Sequence, residues 1–232
     1  MDGSSRSTEP LMKRVTLFAG HYGSGKSSLA VEYALKLASE GDRTIIADLD
    51  IVNPYFRSMD SRAELESAGV DVIVSPYAGS NVDVPALPGE MYRIVDDREF
   101  KAVVDVGGDD RGALALGRLS GALKQENDYE MILVVNFLRP LTQTPEEAAQ
   151  VIREIEQAGS LPFTGIVNNT NLGELTTREH VLEGLEKAEK LSSMSGLKLL
   201  GSTVKLELLP EIKTASAIYP VRIRHRADWA IF

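Results

Sequence analysis

The 232-residue sequence contains no cysteine. This absence excludes disulfide bonds, iron–sulfur clusters, thiolate zinc sites and any mechanism that uses a cysteine nucleophile. The sequence also lacks an apolar run of about eighteen residues, which a membrane-spanning helix would need. Its first ten residues, MDGSSRSTEP, lack the apolar core of a signal peptide. We therefore expect a cytoplasmic protein.

Basic residues are outnumbered by acidic ones, which gives a net charge of −9 and a pI near 5.0. Such a balance disfavours binding of nucleic acid through bulk charge. Hydrophobic residues at 43% and charged residues at 25% are ordinary values for a globular chain. At this length we expect a flexible tail at 1–12 and a single α/β domain at 13–232.

One stretch near the N-terminus has the pattern of a phosphate-binding loop. Residues 15–19 form a short apolar run of the kind that makes a buried parallel strand. Residues 20–27, GHYGSGKS, then match the pattern G-x-x-x-x-G-K-[ST], and we name them the phosphate loop. From Ser28 onward apolar residues recur at helical spacing. A loop of this pattern between a strand and a helix predicts nucleoside triphosphate binding.

The chemistry of the phosphate loop follows from its residue types. Its glycines let the backbone approach a ligand closely, so that successive N–H groups point at an anion beside a helix N-terminus. Lys26 supplies a charge for the terminal phosphates, and the Ser27 hydroxyl is suited to coordinate Mg²⁺. The predicted nucleotide contacts in this stretch are Gly20, His21, Tyr22, Gly23, Ser24, Gly25, Lys26, Ser27 and Ser28.

The rest of the chain alternates apolar runs with amphipathic segments. This alternation predicts an α/β fold, with a mostly parallel central β-sheet flanked by helices on both faces. Beyond the first strand, strands are predicted at 44–47, 70–74, 102–106, 131–136, 163–167 and 197–200. Helices are predicted at 61–68, within 91–100, at 113–124, from Thr144 to about 157, and from Thr176 or Thr177 to about 191.

Acidic residues follow two of the predicted strands. Asp48 and Asp50 end the second, and Asp105 ends the strand before the glycine pair at 107–108. In open α/β sheets ligands bind at the carboxyl ends of the strands, where a carboxylate can hold Mg²⁺ or orient a water molecule. The predicted metal ligands are Ser27, Asp48, Asp50 and Asp105. A backbone N–H of Gly108 could sense the terminal phosphate, as in a two-state switch.

The phosphate loop, DLDIVNPYFR at 48–57 and DVGG at 105–108 together resemble the MinD/ParA/CobQ–CobB group of SIMIBI-class P-loop ATPases. The resemblance implies the P-loop NTPase fold, with ATP and Mg²⁺ as ligands. It implies Lys26, Asp50 and Asp105 as catalytic residues, with Asp50 activating water and Asp105 and Gly108 at switch II. Asn168 matches the asparagine that reads adenine in such proteins, and the absence of an NKxD signature favours ATP over GTP.

One departure from this group concerns a cation. ParA-like members carry a lysine that reaches a partner's nucleotide, and His21 occupies that position here. A neutral imidazole cannot supply the same fixed charge, so Arg57 or Arg111 is an alternative source of it. A nucleotide-linked homodimer therefore remains a possible arrangement rather than a required one.

Three functions stay open at this level. The first is a nucleotide-dependent ATPase switch with a protein client. The second is an ATP-dependent small-molecule ligase or kinase resembling dethiobiotin synthetase, with a substrate pocket near Asn53, Tyr55 and Arg57. The third is an ATP-binding adaptor with little turnover.

The basic-aromatic segment 221–232 could contact a membrane, although an extended segment docked on the domain fits its pattern as well. We expect His180 to be a solvated surface residue.

Overall fold

The computed structural model describes residues 13–49, 59–74, 88–107, 110–212, 214 and 218–221. These residues form eight β-strands and six α-helices, with short 3₁₀ turns between some of them. The strands are β1 (Val15–Ala19), β2 (Thr44–Asp48), β3 (Asp71–Val74), β4 (Lys101–Asp105), β5 (Tyr129–Val135), β6 (Gly165–Asn168), β7 (Lys198–Lys205) and β8 (Ile218–Val221). The helices are α1 (Lys26–Ser39), α2 (Met59–Ser67), α3 (Arg93–Asp96), α4 (Asp110–Glu126), α5 (Pro145–Gly159) and α6 (Arg178–Ser195).

The strands form one sheet in the order β3-β2-β4-β1-β5-β6-β7-β8, and each neighbouring pair is parallel. The predicted parallel sheet is thereby confirmed. Strand β1 lies between β4 and β5, and all of its residues are buried, as its unbroken apolar run requires. The order of the chain reverses beside β1, so the loop that follows β1 lies at a topological switch point of the sheet.

Alternate residues of the strands pack into two separate cores. Leu17 points into one core with residues of α4, α5 and α6, whereas Phe18 points into the other with residues of α1 and α2. This alternation follows from the two-residue period of a strand. Helices therefore cover both faces of the sheet, as expected, and the strand ends are left open for the loops.

A buried ion pair fixes the chain just before β1. The guanidinium of Arg14 donates from Nε to Glu126 Oε1 at 2.5 Å and from Nη2 to Glu126 Oε2 at 2.6 Å. It also donates to the carbonyl oxygen of Ile94 at 3.0 Å. Because the fork is bidentate and its remaining donors are bonded, the charges are compensated although Arg14 is buried. The pair joins the start of β1 to the end of α4.

The starts of two long helices confirm the capping signals of the sequence. The Thr144 hydroxyl accepts from Glu147 N at 3.2 Å, and Thr144 N donates to Glu147 at 3.1 Å, with Pro145 in the first turn. At α6 the capping residue is Thr177, whose N–H donates to His180 Nδ1 at 3.2 Å. His180 is half-buried and closes the helix start, so it is more than the solvated residue that we expected.

The C-terminal part of the sheet extends beyond the sequence-based expectation. Strand β7 continues to Lys205, and β8 adds a parallel edge strand that we did not predict. The segments 1–12 and 222–232 lie outside the described residues. The predictions of a flexible N-terminal tail and of membrane contact by the C-terminal segment therefore stay predictions. None of the described helices combines the length and the apolar character needed to cross a membrane.

Candidate functional site

The phosphate loop leaves β1 and enters α1 through backbone conformations that favour glycine. Gly23 and Gly25 have φ values of 77° and 89°, in the left-handed region. A Cβ at Gly20 would lie 2.3 Å from the carbonyl oxygen of Val134, so a side chain there would collide with β5. A turn within the loop is closed by Ser24 N donating to His21 O at 3.2 Å. The glycine pattern is therefore required by both dihedral angle and space.

At the first turn of α1, no capping side chain competes with a ligand for the backbone N–H groups. Gly25 caps the helix with no side-chain hydrogen bond, and the first turn contains no acidic residue. The backbone N–H groups at this end and the positive end of the helix dipole favour an anion. Lys26 begins the helix and is only 4% exposed. A largely buried lysine at the start of this helix is the residue type that binds polyphosphate in such loops.

Two polar atoms of the loop are buried without a hydrogen-bond partner among the described residues. These atoms are His21 Nδ1 and Ser24 Oγ. Buried polar atoms in proteins are normally satisfied, so such atoms in a glycine-rich loop indicate a site that a polar ligand or water completes. Tyr22, by contrast, is 53% exposed and projects from the loop into solvent.

Asn169 ties the phosphate loop to the far side of the sheet. Its Nδ2 donates to the carbonyl oxygen of Ser24 at 2.6 Å, and its Oδ1 accepts from the Thr203 hydroxyl of β7. A Cβ at Gly25 would lie 2.2 Å from Asn169 Nδ2. We did not single out Asn169 from the sequence, where the signal was a run of polar residues directly after a strand.

Asn168 takes a different direction from its neighbour. It is 2% exposed, and its Nδ2 donates to Ser202 Oγ at 3.0 Å. Its Oδ1 accepts from Thr170 N at 3.2 Å and from Thr170 Oγ1 at 2.6 Å. The amide is thus bonded within the β6–β7 region, and Asn169 is the residue that contacts the loop. The adenine-reading role of Asn168 stays a prediction.

Two of the predicted acidic residues meet at the carboxyl edge of the sheet. Asp48 and Asp105 occupy paired positions on β2 and β4, and Phe18 of β1 pairs with Asp105 in turn. Both carboxylates are at most 1% exposed. Together with the Ser27 hydroxyl at the start of α1, they offer the oxygen ligands that Mg²⁺ prefers. The remaining predicted members of the site, Asp50 and Gly108, lie outside the described residues, as do Asn53, Tyr55 and Arg57.

Arg139 approaches the loop from the opposite side, and no pattern in the sequence singles it out. A Cβ built on Gly23 would lie 3.5 Å from both Cδ and Nε of Arg139. Arg139 lies in the turn after β5, and β5 borders β1 on the side away from β4. The loop therefore has carboxylates on one flank and a guanidinium on the other.

No protein-family model matches the chain, and no curated protein matches its sequence. Solved structures do resemble it in fold. FtsY from the chloroplast of Physcomitrella patens has a TM-score of 0.54 at 17% identity, over 84% of this chain and 61% of that one. FtsY from Thermotoga maritima has a TM-score of 0.53 at 17% identity, over 80% and 59%. FlhF complexed with GTP and Mg²⁺ has a TM-score of 0.52 at 14% identity, over 82% and 65%.

The chain thus spans less than two thirds of the length of each of these structures. FtsY and FlhF belong to the SIMIBI class of P-loop NTPases, the class that the sequence resembles. The narrower resemblance to the MinD/ParA/CobQ–CobB group stays a prediction. At these identities the likeness concerns architecture, and the parallel sheet with its glycine loop after β1 has the fold of the P-loop NTPases.

Proposed function

We propose that the protein binds ATP with Mg²⁺ and hydrolyses it as a nucleotide-dependent switch. The observation that carries this proposal is the conformation of the phosphate loop. Left-handed glycines, a helix start without side-chain caps and a buried lysine converge on one anion-binding concavity. The pair of buried carboxylates at the adjoining strand ends supports a metal-bound triphosphate rather than a simple phosphate.

Each residue of the site has a role in this proposal. The loop N–H groups and Lys26 hold the phosphates, while Ser27, Asp48 and Asp105 bind Mg²⁺ directly or through its water shell. When bound, Mg²⁺ withdraws charge from the phosphate oxygens and stabilises the leaving diphosphate. Asp50 orients the attacking water, in keeping with the resemblance at 48–57. Lys26, which is 4% exposed, stabilises the negative charge that builds up on the phosphate oxygens during transfer.

The segment after β6 supports ATP over GTP. Between residues 168 and 176 the acidic residue is Glu174, which accepts from Lys205 Nζ at 2.6 Å. Reading the donor edge of guanine calls for an acceptor such as a carboxylate, whereas amide side chains serve adenine as donor and acceptor. GTP is nevertheless the nucleotide in the FlhF complex, so it is the competitor that must be measured.

Calorimetry tests the binding step. We expect wild-type protein to bind ATP in the presence of Mg²⁺ more tightly than GTP. Lys26→Ala should lower the affinity by more than about tenfold, because it removes a charge-assisted contact to the phosphates. Lys36→Ala is the matched control, since Lys36 lies on the same helix but is 56% exposed and paired with Glu40. Unchanged ATP affinity in Lys26→Ala would contradict the assignment of the phosphate loop as the nucleotide site. Tighter binding of GTP than of ATP would identify GTP as the nucleotide.

Phosphate release tests the catalytic step. Asp105→Asn should reduce turnover by about 10²-fold, as expected when a charged group at a reacting centre is neutralised. Asp128→Asn is the control, because Asp128 is half exposed near Lys13 at the opposite end of the sheet. An ATPase switch should hydrolyse ATP without a co-substrate and change its oligomeric state in light scattering. Hydrolysis that begins only when an acid or alcohol is added would favour the ligase or kinase instead.

A further inference from the structure

Arg139 is held against the phosphate loop by a rigid turn. The turn begins at Asn136, which is 1% exposed and whose carbonyl oxygen accepts from Thr142 Oγ1 at 2.8 Å. Asn136 Oδ1 accepts from Leu138 N at 3.0 Å, and Arg139 N donates back to Asn136 O at 3.2 Å. Leu141 takes a left-handed φ of 65°, which costs free energy for a branched residue. So many fixed groups place the arginine in one position before any ligand arrives.

The same turn is also tied to the segment after β6. Asn136 Nδ2 donates to the carbonyl oxygen of Asn171 at 2.9 Å, and Phe137 N donates to Thr170 Oγ1 at 3.2 Å. Asn169, which supports the loop at Ser24, belongs to that segment. The turn, the β6 segment and the phosphate loop therefore form one connected unit, so the arginine keeps its position relative to the loop.

The charge of Arg139 is not compensated within the described part of the chain. Its Nε is buried and has no hydrogen-bond partner there, and no carboxylate among the described residues lies within ion-pair distance of it. Arg139 as a whole is only half-buried, but a buried donor without an acceptor is unfavourable, so its Nε indicates an acceptor that a bound ligand would supply.

We infer that Arg139 is a ligand of the terminal phosphate of the nucleoside triphosphate bound by its own chain. This inference rests on the proposed function, since it requires a triphosphate in the loop. The amides at 25–27 start α1 and suit the inner phosphates, while Gly23, against which Arg139 packs, lies in the turn farther from the helix. A planar guanidinium matches phosphate geometry through paired donors. Arg139 would thereby supply, from β5, the fixed charge that His21 lacks.

Binding of ATP and ADP to two substituted proteins tests the inference. Arg139→Met keeps a linear stem against Gly23 but removes the charge, and Arg139→Lys keeps both stem and charge. We expect Arg139→Met to weaken ATP binding about tenfold while ADP binding changes by less than about twofold, because one charge-assisted contact is lost. Arg139→Lys should retain most of the ATP affinity. Raising the salt concentration should weaken ATP binding more in wild type than in Arg139→Met.

Arg153→Met is the matched control, since Arg153 lies on the solvent side of α5 and donates to Gln150 Oε1 at 2.6 Å. Thermal melting without nucleotide shows whether Arg139→Met still folds. If it does not, the ATP affinity of Arg139→Lys and the salt dependence of ATP binding by wild type test the phosphate contact. Equal losses for ATP and ADP, or no loss for either, would overturn the phosphate contact. A loss seen only at concentrations where wild type dimerises would overturn the assignment to its own nucleotide. If wild type binds no nucleotide at all, the proposed function fails first.

Discussion

Asn169 donates a hydrogen bond from Nδ2 to the carbonyl oxygen of Ser24 at 2.6 Å, across 145 positions of sequence. The bond joins the end of β6 to the middle of the phosphate loop. Because Oδ1 of the same amide accepts from the Thr203 hydroxyl of β7, this strand fixes the orientation of the Asn169 side chain. The conformation of the loop therefore depends on a side chain from a distant strand and not on its own glycines alone.

Replacing Asn169 by Asp should impair this support. The carboxylate would face the Ser24 carbonyl oxygen with an acceptor instead of a donor, in a buried position. We expect a loss of about 1–3 kcal/mol in the free energy of unfolding, together with weaker ATP binding. Asn127→Asp is the control, because it is the same isosteric change at the opposite end of the sheet, where φ is 53°. Denaturant unfolding measures the first effect and calorimetry the second. Equal stability and equal ATP affinity of the two variants would contradict the supporting role of Asn169.

Gly25 and Gly41 separate the effect of space from that of dihedral angle. Their φ values are 89° and 92°, but a Cβ at Gly25 would lie 2.2 Å from Asn169 Nδ2, whereas Gly41 has nothing within 4 Å. Alanine at either position costs about 1–2 kcal/mol for the left-handed backbone. We expect Gly25→Ala to cost distinctly more than Gly41→Ala in thermal unfolding, and to abolish nucleotide binding, which Gly41→Ala should leave intact. Similar melting temperatures for the two would show that Asn169 can move aside.

The sequence predicts the parts of the site whose signals are local. The strand, the glycines and the helix at 15–39 are contiguous, so a short pattern defines all three. The meeting of Asp48 and Asp105 is also predictable, since parallel strands bring their carboxyl ends to one edge. Asn169 and Arg139 are different, because they reach the loop only through the packing of β6 and β5 beside β1. No spacing in the sequence encodes such a contact.

The missed strand β8 has a comparable cause. It is four residues long and contains Pro220, which removes a backbone donor and argues against a central strand. The structure places β8 at the edge of the sheet, next to β7, where a proline is tolerated. Whether a strand is central or at an edge depends on the topology of the whole domain, which periodicity alone does not give.

Gly112 allows α4 to approach the turn that follows Asp105. A Cβ at Gly112 would lie 2.5 Å from Gly107 Cα and 2.6 Å from its backbone nitrogen, so alanine would force the helix and the turn apart. We expect Gly112→Ala to destabilise the protein by about 1–3 kcal/mol and to reduce ATP hydrolysis more than ATP binding, because the Asp105 segment is displaced.

Gly121 provides the control on the same helix, since nothing lies within 4 Å of a Cβ there. Gly121→Ala should stabilise the protein by roughly 0.5–1 kcal/mol through the higher helix propensity of alanine, with unchanged hydrolysis. Chemical denaturation and phosphate release measure the two variants side by side. A Gly112→Ala protein as active as Gly121→Ala would show that this close approach does not position the Asp105 segment.

Tyr33 makes the stability of the domain sensitive to alkaline pH. Its ring packs edge-on against Phe18 with centroids 5.8 Å apart, so it holds α1 against β1 directly behind the phosphate loop. Burial raises the pKa of Tyr33 from 10.0 to about 12, an effect that a hydrogen bond with Thr16 opposes and the nearby charge of Glu130 increases. The folded protein thus retains the phenolic proton at a pH where the unfolded chain has lost it.

The sign of the pH dependence follows from proton counting. Below pH 10.0 the phenol is neutral in both states and contributes no slope, whereas between 10.0 and about 12 the unfolded chain binds fewer protons, so the free energy of unfolding falls. We expect Tyr33→Phe to flatten this fall, and Tyr92→Phe, at a residue that is 39% exposed, to leave it unchanged. Urea unfolding at intervals through this range measures the slope, and ultraviolet absorbance follows tyrosinate formation. If the free energy of unfolding falls with pH equally steeply in wild type and in Tyr33→Phe, then α1 separates from β1 before Tyr33 ionises.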